Sequence, residues 1–127
     1  MKRTLRLAIA LVVAAGTALA AGGVKPKANA YFQTGFDDTA WQQAAFKKVV
    51  AGWKPTAAPA VGKKTVLIAS ISRDGALLGL REHLTTGVAG WDATAIEAVK
   101  KAAPFPKLPK SWVYPTLEVH FHFEAGK

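Results

Sequence analysis

Two histidines, His120 and His122, stand two residues apart near the C-terminus, with Glu118 and Glu124 on either side of them. On an extended strand residues i and i+2 point to one face, so both imidazoles and both carboxylates would share a surface. Neutral imidazole with carboxylate is a ligand set suited to zinc or copper. The same pair, titrating near about pH 6.5, would also make a modest pH sensor. The plainer account of the alternation is the polar solvent face of a strand, so no metal and no cofactor are expected, and His120 and His122 are the residues that would carry a metal. His83 reaches this face only if register allows, because another strand intervenes. Asp92 with His83 and Ser70 or Ser72 has the composition of a charge-relay set. It stands before an alanine-rich segment, however, and reads as a helix cap whose carboxylate accepts an orphan amide. There is no Gly-x-Ser-x-Gly elbow, and the absence of cysteine among 127 residues excludes thiol catalysis, disulfides and cysteine-based zinc sites. An enzyme is not expected.

Charge points in the same direction once its placement is considered. Lys+Arg number 17 against 8 Asp+Glu, a net +9. Lys2, Arg3 and Arg6 belong to an N-terminal address: a basic start, an apolar run from Leu7 to Ala15, and a small-x-small site at Ala18 and Ala20. The expectation is a signal peptide over residues 1–20, cleaved after Ala20, and a periplasmic location. The alternative is an uncleaved anchor facing the periplasm, since Leu7 to Val24 carries no charge for 18 residues. Removing 1–20 leaves 14 − 8 = +6. These remaining cations fall mainly at helix ends and connectors. Nucleic-acid binding is not expected, because an arginine stripe with interleaved exposed aromatics is missing.

The elements that must position these residues can be read in order. Residues 21–36 have no sustained period and read as a short lead-in to a domain over 37–127. Thr39 with Gln42 has the spacing of a capping box, and the apolar residues Trp41, Ala45, Val49 and Trp53 follow at helical intervals until Gly52 and Pro55. Lys64 to Ser72 is β-prone and apolar on both alternating sets, as expected of a central strand. Asp74-Gly75 marks a hairpin, and Leu77 to Leu84 returns, with Gly79 as a bulge or close-contact point. Ala93 to about Ala102 reads as a second helix and Pro104 to Pro109 as extended chain. The last strand alternates, with Leu117, Val119, Phe121 and Phe123 inward. The four tryptophans read as core or edge packing. The fold expected is a two-layer α+β sandwich of order helix-strand-strand-helix-strand. Its three-stranded antiparallel sheet, order 2-1-3, is covered on one face by two helices.

In this order and spacing residues 64–124 resemble the C-terminal domain of the TonB and TolA energy-transducing proteins. The resemblance is carried by Val66–Ser72, Asp74-Gly75, Leu77–Leu84, Thr85-Thr86-Gly87, Asp92–Ala102, Pro104-Phe105-Pro106 with Leu108-Pro109, and Leu117–Phe123. It implies a non-enzymatic envelope domain that contacts periplasmic or outer-membrane proteins by adding a partner strand to its sheet. The sheet order makes the last strand an edge, so Leu117, Val119, Phe121 and Phe123 mark the expected partner-binding strand. Contact with an inner-membrane proton-channel complex, and a homodimer, stay open. Only residues 25–38 separate the apolar segment from the first helix, at most about 50 Å fully extended. The chain is therefore not expected to transduce energy alone.

Overall fold

In the computed structural model, which describes residues 23–127 and the backbone of Val13–Ala14, two helices lie on one face of an antiparallel sheet. The rest of the predicted export segment, including Ala18 and Ala20, lies outside the described residues. The full strands are β1 (Lys25–Phe32), β2 (Lys64–Ser72), β3 (Leu77–Leu84) and β4 (Thr116–Gly126), and the helices are α1 (Thr39–Gly52) and α2 (Ala89–Ala102). The strands run in the order β1-β4-β2-β3, with Val13–Ala14 paired to Lys27 and Ala28 on the outer side of β1.

The predicted 2-1-3 order of the last three strands is present, and β2 is central as its doubly apolar pattern requires. Two expectations are corrected. Part of the supposed lead-in, residues 25–32, is a full strand, so the sheet has four long strands rather than three. It pairs along the whole of β4, from Lys25 opposite Gly126 to Phe32 opposite Val119. Consequently β4 is not an edge. Leu117, Val119, Phe121 and Phe123 are paired to β2, and Val119, Phe121 and Phe123 to β1 as well, while the side chains of all four are buried under the helices.

Burial explains why β1 joins the sheet. Pro26, Ala28, Ala30 and Phe32 alternate inward. Phe32 enters an aromatic cluster with Phe36 and Trp41, in which Phe36 and Trp112 meet edge-on at 5.4 Å between centroids. Edge-to-face rings gain attraction beyond their buried area. A second cluster joins the helices to β4: Trp53 lies 4.9 Å from Phe123, and Trp91 donates its indole N–H to the Phe123 carbonyl at 3.0 Å. Fully buried Ala45, Ala95 and Ala98 let the helices sit close to the sheet and to each other.

Helix α1 starts from a different cap than the spacing predicts. Asp38, not Thr39, accepts the Trp41 amide at 2.9 Å. Gln42 is fully buried and donates to the Phe36 carbonyl instead of reaching back to the cap. Asp92 is likewise not the cap of α2, which begins three residues earlier at Ala89. Its carboxylate accepts from the Thr65 hydroxyl at 2.6 Å, the Thr86 amide and hydroxyl, and the Gly87 amide. Thr65 of β2 and Thr86 and Gly87 of the β3–α2 connection thus gather on one carboxylate rather than on a helix end.

The Pro104–Pro109 stretch is extended and pinned to the hairpin. Phe105 donates to Gly75 and Leu108 to Arg73 through the backbone, while the Arg73 guanidinium donates to the carbonyls of Pro109, Trp112 and Tyr114. This clamp fixes the β2–β3 turn, and with it the start of the outermost strand.

Candidate functional site

With β4 enclosed, β3 is the outer strand on one side of the sheet, and among the described strands it is paired to β2 alone. An outer strand presents unpaired backbone donors and acceptors to any chain that can lie alongside it. The opposite side, β1, is blunted: it carries the Val13–Ala14 pairing, Pro26, and the cations Lys25 and Lys27. No such cover lies on β3 among the described residues. Six of its eight residues, all but the half-buried Leu77 and Leu80, are exposed, and Leu78 and Leu84 are 60% and 46% exposed.

Strand β3 is shaped by two register shifts. Leu77 pairs with Ile71 and Gly79 with Ser70, which leaves Leu78 as an extra residue; Glu82 pairs with Leu67 and Leu84 with Val66, which leaves His83 as another. Bulges twist an edge and re-aim its side chains. Between them Gly79, Leu80 and Arg81 pair in regular register with Ser70, Ala69 and Ile68. A Cβ at Gly79 would meet nothing within 4 Å. The missing side chain opens a hollow of about 230 Å³ lined by Ile68, Ser70, Gly79, Arg81 and Glu118 among others.

The same uncovered face carries the predicted histidine pair. His120 lies opposite Tyr31 and Ile68, and His122 opposite Asn29 and Val66. His120 Nε2 is 2.9 Å from Glu118 Oε2. His122 packs edge-on against Tyr31 at 4.6 Å between centroids. Burial, then the charges of Lys64, His120 and His83, push its pKa down from 6.5 to about 4. His122 is therefore neutral across the physiological range, and the expected sensor near pH 6.5 is not supplied by this ring. Among the described residues no three His, Asp or Glu side chains gather as a metal site.

The sequence pattern placed the sheet edge on β4, whereas the structure encloses β4 and leaves β3 outermost among the described strands. The signal for β3 was present in Gly79 and in the poorly alternating Leu-Leu-Gly-Leu-Arg-Glu-His-Leu run, a pattern that no doubly buried strand would carry. The family model described as TonB C terminal matches residues 39–123, two thirds of the chain, starting at α1 and excluding β1. No match was found among curated proteins or solved structures.

Proposed function

The chain belongs to the TonB C-terminal family, and on that premise we propose that it is an exported periplasmic interaction module that binds an envelope protein by taking a partner strand along the outer edge of β3. Family membership supports the coarser part, a TonB-like domain of the cell envelope that meets other proteins and carries no catalysis of its own. The observation that carries the finer part is β3 itself: among the described residues it is outermost and uncovered, and it is free of proline. Backbone pairing supplies affinity in this mode, and side-chain recesses supply selectivity. The basic, apolar, small-x-small order of residues 1–20 supports export. Among the described residues no helix is long and apolar enough to cross a membrane. A role in TonB-type energy-coupled transport rests on the family alone.

The test is site-directed photocrosslinking in intact envelopes. A crosslinker at Leu78, Leu80 or Glu82 is expected to capture a partner through an extended segment, and capture is expected to vanish with Leu80→Pro while the domain remains folded. Adducts that form equally from Lys27 and Tyr31, or that survive the proline, would contradict the assignment.

A further inference from the structure

Resting on the strand-addition reading, we propose that the hollow over Gly79 and the adjacent Arg81 select the partner: an extended segment bearing an aromatic residue opposite Gly79 and a carboxylate two positions away, opposite Arg81. Residues directly opposite each other in neighbouring strands share a face, so a strand laid on β3 would continue two rows of the uncovered surface. One row runs Glu118, Ser70, Gly79; the next runs His120, Ile68, Arg81.

The first row is almost without side-chain bulk at its outer end, because Ser70 is followed by a glycine. An aromatic ring across from a strand glycine covers the exposed backbone and fills the gap, a compensation that pairs well in sheets. The hollow is large enough to take a ring, and its lining is mixed, with apolar Ile68 beside Ser70, Arg81 and Glu118. Exposed Leu78 adds apolar surface next to it in the chain.

In the second row Arg81 is exposed, and it forms no hydrogen bond or ion pair with any described residue. Its guanidinium is available to a carboxylate with fork geometry. A net +6 on residues 21–127 favours the approach of an acidic segment. The second row therefore selects charge and the first selects shape. Because facing residues recur every second position, the two requirements fall at a spacing of two on the partner.

Ten-residue synthetic probes distinguish these contributions. A probe with Tyr-x-Glu at its centre is expected to bind the purified chain about fivefold more tightly than Ala-x-Glu or Tyr-x-Lys probes of the same length, the scale of one good cross-strand pair. Gly79→Val is expected to erase the tyrosine advantage, and Arg81→Glu to reverse the preference toward Tyr-x-Lys. Gly79→Ala, which meets no neighbour, serves as the milder variant should valine disturb folding. Equal binding of all probes, with β3 amides still protected, would overturn the selectivity proposal and leave strand addition standing. Absence of protection at β3 with every probe would overturn both.

Discussion

At the scale of single residues, His122 and Asp92 show how environment reassigns groups that look reactive in a sequence. His122 is held neutral first by burial and then by electrostatic repulsion, from Lys64 before the neighbouring imidazoles of His120 and His83. Its pKa is about 4 in the fold and 6.5 when unfolded, so the unfolded chain binds the proton more readily between those values. Stability then falls as pH drops from about 6.5 through about 4. The urea midpoint is expected to decline over that window, and His122→Asn, which cannot titrate, to flatten the decline; parallel slopes for both proteins would rule the ring out. Asp92 is also shifted down, but in spite of its burial. Burial works against its carboxylate, but the hydrogen bonds from Thr65, Thr86 and Gly87 outweigh it and hold the pKa below the usual value. Asp92→Ala leaves the buried Thr65 hydroxyl and two backbone amides without that acceptor, and should cost about 2–4 kcal/mol in chemical unfolding. A loss under about 0.5 kcal/mol would mean that the connection is held by something else.

At the scale of elements, the two glycines of the hairpin carry opposite expectations. Gly75 has φ +91°, and a Cβ there would overlap the Phe105 carbonyl, so Gly75→Ala should cost about 2–4 kcal/mol and loosen the pinned proline stretch. Gly79→Ala should stay within about 0.5 kcal/mol of the parent; equal effects of the two on the melting midpoint would contradict the geometry. The same elements mark what can be read from the sequence. Helix α1, strand β2 and the alternating last strand were legible from their apolar positions, and β3 from the Asp74-Gly75 turn that precedes it. Strand β1 was not, because Lys-Pro-Lys-Ala-Asn-Ala has low β propensity and buries mostly alanine, so its alternation shows little hydrophobic contrast. Missing it turned β4 into an apparent edge. The inward set Leu117, Val119, Phe121 and Phe123 fits a strand paired on both sides as well as one paired on a single side, so alternation alone could not tell the two apart. The start of α2 was misread for a different reason: Asp92 is a good cap by type, but the carboxylate is claimed by Thr65, a contact 27 residues away.

At the scale of the molecule, the arrangement is a domain with one finished side and one unfinished side. The helices and the two aromatic clusters close the inner face, and β1 closes the long flank of β4. What remains open among the described residues is β3 with the hollow at Gly79, held in place by the Arg73 clamp at its start and the Asp92 cluster at its end. A rigid frame around an unpaired strand is the form that strand addition requires, since little ordering remains to oppose binding. The most direct measurement is hydrogen exchange along the purified chain, alone and with a peptide copied from the segment that crosslinks to Leu80. The account predicts that outward-pointing amides of Leu77–Leu84 slow by tenfold or more on binding, about 1.4 kcal/mol of added protection, while amides of Lys25–Phe32 keep their rates. Protection that appears on Lys25–Phe32 or on the helices, with Leu77–Leu84 unchanged, would contradict it.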